Sequence, residues 1–100
     1  MIFHIATQHD WDLHSKEAFY LPAGFSTEGF IHLSTEEQIA GVLQRYYVGR
    51  EDLLLLTIDE EKLSSPVKYE PSTGGELYPH LFGSINKSAI LKIVRLEKVK

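Results

Sequence analysis

Leu53-Leu54-Leu55-Leu56-Thr57-Ile58 is the stretch that decides the fold. It is apolar at odd and even positions alike, so an extended chain here shows two apolar faces. Its short length and the turn chemistry of Asp59 favour a strand over a core helix. A strand with two apolar faces belongs inside a sheet that is covered on both sides. Outward from it, residues 2–6 are β-branched and aromatic and read as a first strand. Residues 29–34, Gly-Phe-Ile-His-Leu-Ser, read as a short second one. Residues 67–70, 77–82 and 90–97 complete the set, with Pro79 holding Tyr78 in extended backbone. Thr73-Gly74-Gly75 is a turn.

Two helices fall in the first half. Asp10 is a candidate N-cap for a helix over 11–19, with Asp12 favourable in its first turn. Pro22 and Gly24 then mark a loop. Ser34 with Glu37, and Thr35 with Gln38, form overlapping capping-box patterns. Ile39, Val42, Leu43 and Tyr46 follow at i, i+3, i+4 and i+7, one face of a helix that Gly49 can end. Asn86 can cap a single turn through Ala89. About six strands and two main helices define an α+β fold, one domain over residues 1–100, with a split, mixed or antiparallel sheet. The expected core includes Ile31, Val42, Leu43, Leu54, Leu56 and Ile93.

Composition narrows the function. The chain has 100 residues, 43% hydrophobic and 24% charged, a net charge of −4 and no cysteine. A disulfide framework, a thiol nucleophile and thiolate metal sites are therefore excluded. The basic footprint of a nucleic-acid binder is missing. No apolar run approaches the ~20 residues of a membrane span. The opening Met-Ile-Phe-His lacks the basic and long apolar regions of a signal peptide. The expectation is a cytoplasmic protein, of bacterial type, whose partner is a small molecule rather than a nucleic acid or a membrane.

Five histidines carry the chemical interest. His9 and His14 lie among polar residues and read as solvated surface. His4, His32 and His80 lie inside the strand-like stretches Ile-Phe-His-Ile, Phe-Ile-His-Leu and Tyr-Pro-His-Leu. By the period of a strand, His4 and His32 project opposite to their apolar neighbours, toward solvent or a cleft. Each alone reads as a structural histidine; together they point to a shared cleft. Three histidines with Glu70 have the ligand types of a zinc site, but no pair has a local metal spacing. No Gly-x-Ser-x-Gly elbow and no glycine-rich phosphate cradle is present. Phe3, Phe30, Tyr69, Tyr78 and Phe82 read as core, though an aromatic at a polar rim can stack a nucleobase or nicotinamide. Trp11 reads as a packing anchor.

Gly-Phe-Ile-His-Leu-Ser (29–34), Gln38, Leu-Leu-Leu-Thr-Ile-Asp (54–59), Tyr69-Glu70 and Tyr-Pro-His-Leu-Phe-Gly (78–83) together resemble the small bacterial domain-of-unknown-function 952 family. More distantly, Ile-Phe-His-Ile-Ala-Thr (2–7), Phe-Ile-His-Leu-Ser-Thr (30–35) and Leu-Leu-Leu-Thr-Ile-Asp (54–59) resemble the catalytic half of the RNA 2′-phosphotransferases. Those enzymes belong to the ADP-ribosyltransferase superfamily. The resemblance implies an ADP-ribosyltransferase-like fold and NAD as the cofactor. His4 takes the first motif position, His32 the second, and the third falls near His80. The motif hydroxyl falls on Ala6, with Thr7 one residue late, and Glu70 and Glu76 are candidates for the acidic position. The phosphate-gripping arginines of those enzymes have no counterpart, so 2′-phosphate removal is not implied.

On this reading His4, His32, Glu70 and His80 are the candidate catalytic residues, and His4, Thr7, His32, Ser34 and Tyr78 the candidate binding residues, with no metal. The expected activity is binding of NAD or a related nucleotide, with transfer or hydrolysis of ADP-ribose. The alternative is a non-enzymatic module that binds a ligand or a protein on the same fold.

Overall fold

The computed structural model describes residues 1–100, Thr73 by its backbone alone. The chain runs β1 (Ile2–Thr7), α1 (Gln8–Leu13), β2 (Phe19–Tyr20), α2 (Phe25–Glu28), β3 (Ile31–His32), α3 (Ile39–Tyr46), β4 (Leu53–Ile58), β5 (Val67–Pro71), β6 (Leu77–Leu81), β7 (Ile85–Asn86) and β8 (Ile90–Arg95). The leucine run is the middle strand of a three-stranded sheet ordered β1-β4-β8. A second sheet is ordered β3-β6-β5, and β2 pairs with β7. Every pairing is antiparallel, which corrects the mixed-sheet alternative.

The two faces of β4 serve two cores. Leu54, Leu56 and Ile58 join Ile2, Ala6, Tyr20, Ile31, Leu33 and Leu81 in the larger one. Leu53 and Leu55 face the smaller one, with Ile5, Val42, Tyr78 and Val99. Helix α3 closes this second side through Val42 and Leu43. Its start is fixed by a capping box: the Thr35 amide donates to Gln38 Oε1 at 2.9 Å, and the Thr35 hydroxyl takes the return bond. Gln38 Nε2 also donates to the Leu77 carbonyl at 2.8 Å, which ties the helix to β6.

Several expectations need correction. Helix α1 begins at Gln8 because the Thr7 hydroxyl, not Asp10, accepts the free Asp10 amide at 3.1 Å. It stops at Leu13, since the exposed residues that follow offer no apolar face to bury. The loop marked by Pro22 and Gly24 runs into α2, and Gly29, read as the start of a strand, ends that helix in the left-handed conformation at φ 81°. Asn86 stands at the head of its turn, but its side chain serves Ser64, Lys62 and Ser88. Ile93 lies opposite Leu56 in register yet is 46% exposed, because β8 is an edge strand. Leu43 is only partly buried.

Candidate ligand site at the split between the sheets

The two main sheets meet at one point. Phe3 and Ser34 exchange both backbone hydrogen bonds at 2.8 Å. Beyond it the strands part, and the next link is a side chain: His4 Nδ1 donates to the His32 carbonyl at 3.0 Å. A cavity of about 180 Å³ opens where β1 and β3 diverge. His4, Ala6 and Thr7 of β1 form one wall, and Ile31, His32 and Ser34 the other. Tyr20 and the α2 residues Phe25 and Glu28 complete it, with Asp10 and Tyr47. No Lys or Arg lines it among the described residues.

The bond to a carbonyl, which only accepts, fixes the His4 proton on Nδ1. Burial holds the imidazole neutral, its pKa lowered from 6.5 to about 4, with the bond to His32 and nearby Asp10 opposing that fall. His4 Nε2 is therefore a bare acceptor, and it is buried without a partner. The Tyr20 hydroxyl is buried and unpartnered too. Its pKa is pushed up by burial and then by Asp10 and Tyr47, so it keeps its proton and can donate. The Tyr20 ring lies 5.8 Å from His4 and 5.1 Å from Trp11. An orphaned buried polar atom costs about 1–3 kcal/mol, so it marks a place where a ligand, an ion or a water gains a partner.

His32 has its Nε2 buried without a partner, and its pKa is lowered by burial, then by His80 and Arg45. Its ring lies 4.9 Å from Tyr78 and 5.5 Å from His80. His80 is buried on β6, stacked at 4.1 Å on Phe30. Its Nδ1 donates to Glu70 Oε1 at 3.0 Å. The carboxylate orients the ring and leaves its Nε2 buried without a partner.

The structure thus brings His4, Thr7, His32 and Ser34 to one cavity. Glu70 and His80 form a pair behind His32 and do not line that cavity. Tyr78 does not line it either; its hydroxyl accepts from Arg45 at 2.6 Å inside the second core. Thr7 Oγ1 is engaged as the α1 cap. His14 is not plain surface: its ring meets Tyr20 edge-on at 5.7 Å. Among the described residues no three His, Asp or Glu side chains converge where they could hold a metal ion.

Sequence reading missed Tyr20, Phe25, Glu28 and Tyr47 as wall residues and took Asp10 only as a cap. One signal was available: Pro22 biases Leu21 to extended backbone, which favours a short strand just before it.

The class defined by these elements is a small α+β domain of split antiparallel sheets with a cavity of mixed polar and apolar lining at the split. The chain belongs to the DUF952 family, described as a protein of unknown function, whose model matches residues 5–93. It is similar to protein CC0527 from Caulobacter crescentus, a structural-genomics target. The crystal structure of that protein is 30% identical, with a TM-score of 0.87 over 96% of this chain and 85% of that one. Its solution NMR structure gives 30% identity and a TM-score of 0.82 over 96% and 84%. No curated protein matches the chain. Among the described residues no helix is long and apolar enough to cross a membrane.

Proposed function

We propose that the cavity binds the nicotinamide–ribose end of NAD or a related nucleotide, on an ADP-ribosyltransferase-like fold, and that the protein transfers or hydrolyses ADP-ribose. The observation that carries this reading is the pair of orphaned atoms, His4 Nε2 as acceptor and the Tyr20 hydroxyl as donor. A primary carboxamide answers both: its oxygen takes the phenol proton and its N–H meets the imidazole. The charge of the wall supports the same end of the molecule. Asp10 and Glu28, with no Lys or Arg among the described residues that line the cavity, favour a cationic ring over a phosphate. At about 180 Å³ the cavity is smaller than the ~300–1,000 Å³ of pockets that enclose whole drug-sized ligands. One ring enters, and the adenosine and pyrophosphate lie along the rim.

Cleaving the glycosidic bond releases neutral nicotinamide and leaves positive charge on the sugar. The carboxylates of the wall stabilise that charge, and His32 is placed to contact the ribose. Glu70 and His80 act on the site through His32. On the same reading the protein works in the cytoplasm, where the dinucleotide is found.

One observation favours binding without chemistry. The oriented Glu70–His80 pair does not reach the cavity, so it offers no proton acceptor to a bound ligand there. Calorimetric titration with NAD, ADP-ribose and nicotinamide riboside separates the cases. NAD and the riboside bind, ADP-ribose binds more weakly, and turnover of NAD distinguishes an enzyme from a module. Tyr20→Phe keeps the ring and removes an unpartnered hydroxyl, so stability holds while NAD affinity falls about tenfold. No binding of any of the three at millimolar concentration refutes the reading.

A further inference from the structure

We propose that the open edge of β8 is a docking site for an extended acidic peptide, added as a fourth strand to the β1-β4-β8 sheet. Leu96 donates to the Leu53 carbonyl, so the pairs facing β4 through hydrogen bonds fall at Val94 and Lys92 by alternation. The amides and carbonyls of Ile93 and Arg95 therefore point outward, where no strand pairs with them among the described residues. That row of groups is what strand addition uses.

The side chains select the occupant. Leu91 and Ile93 are each 46% exposed and, with Trp11, Lys87 and Ile90, line a groove beside the edge. The Lys87 ammonium sits 4.8 Å over the Trp11 ring. Neither Lys92 nor Arg95 is ion-paired among the described residues. Residues 87–100 hold five of the ten basic side chains and one of the fourteen acidic ones, so an acidic chain carries a basic edge. A second copy of this chain would set Lys92 and Arg95 against their own kind, which is how natural edge strands repel one another. An acidic strand with alternating apolar residues meets the same surface favourably. Antiparallel addition places apolar side chains opposite Leu91 and Ile93, and acidic ones opposite Lys92 and Arg95.

The probe is a capped peptide of sequence Glu-Thr-Val-Glu-Val, with Lys-Thr-Val-Lys-Val as the charge-reversed control, titrated into isotope-labelled protein. The acidic peptide shifts the Ile93 and Arg95 amides and slows their exchange, and binds about tenfold tighter than the control. Its affinity falls with salt. The double variant K92E/R95E reverses the preference. Ile93→Pro removes only an outward amide, a place where an edge strand accepts proline, so the fold persists and binding is lost. Equal affinity for the two peptides, shifts confined to the His4 cavity, or no shift at millimolar peptide overturns the proposal. Concentration-dependent dimers with protected β8 amides overturn it in favour of a second copy.

Discussion

Acid should weaken this protein through His4 well before its carboxylates titrate. The imidazole is neutral in the folded chain with a pKa of about 4, against 6.5 when unfolded. A base whose folded pKa is depressed contributes its full stability above the unfolded value. That contribution is lost as pH falls from 6.5 toward 4, because the unfolded chain takes up a proton that the folded one refuses. One pKa unit is worth ~1.4 kcal/mol, so the whole effect is about 3 kcal/mol, and about 2 kcal/mol is already lost near pH 5. His32, also lowered, titrates in the same direction. Asp52, held down by its bond to Arg50, adds its own loss only as pH falls into and below the ordinary carboxylate range. The His4 share can be isolated with His4→Asn, whose side-chain amide can still donate to the His32 carbonyl but does not titrate. Urea unfolding followed by Trp11 fluorescence, near pH 7.5 and pH 5, gives the two differences. Wild type should lose about 2 kcal/mol more than His4→Asn between those conditions. Parallel losses in the two proteins would refute the argument that His4 is buried as a neutral acceptor.

Leu56→Ala should cost about 2–5 kcal/mol in the same assay, since the side chain is fully buried between two paired strands. Ile93→Ala, its cross-strand partner, should cost under about 1 kcal/mol, because the edge leaves it half exposed. Gln38→Glu keeps the acceptor for the Thr35 amide but loses the donor to Leu77 and faces Glu76 with a like charge, where the amide now donates at 2.9 Å. It should destabilise by about 1–3 kcal/mol, read as a lower urea midpoint.

The centre of the molecule was legible because its residues state their own burial. Leu53 to Leu56 alternate between two cores, and no arrangement but an inner strand satisfies both faces. The Thr35–Gln38 box was legible for the same reason: both halves of the bond sit within four residues. His4 and His32 were legible as polar breaks in apolar strands, and the structure joins them through a ring nitrogen and a carbonyl. Tyr20 was not, because its role depends on a two-residue strand whose partner, Ile85, is distant in sequence. Glu70 and His80 share a hairpin, yet whether they open on the cavity or behind it depends on how the two sheets splay. Local pattern carries no record of that angle. Ile93 misled because period alone cannot tell an inner strand from an outer one.

The second core is sealed by Val99, whose amide donates to Arg50 while its carbonyl receives Gly49. β1 likewise waits for β4, and β4 for β8, with some fifty residues and then about forty between partners. Nearly every pairing that matters is therefore remote along the chain, the arrangement that folds slowly because loop closure precedes reward. During synthesis the leucine strand emerges before Tyr78, Leu81, Ile85, Ala89 and Val99, so both of its cores stay incomplete until those residues follow. Loss of the Val99 side chain would leave one side of that strand unsealed, and aggregation rather than lost ligand binding would be the first symptom.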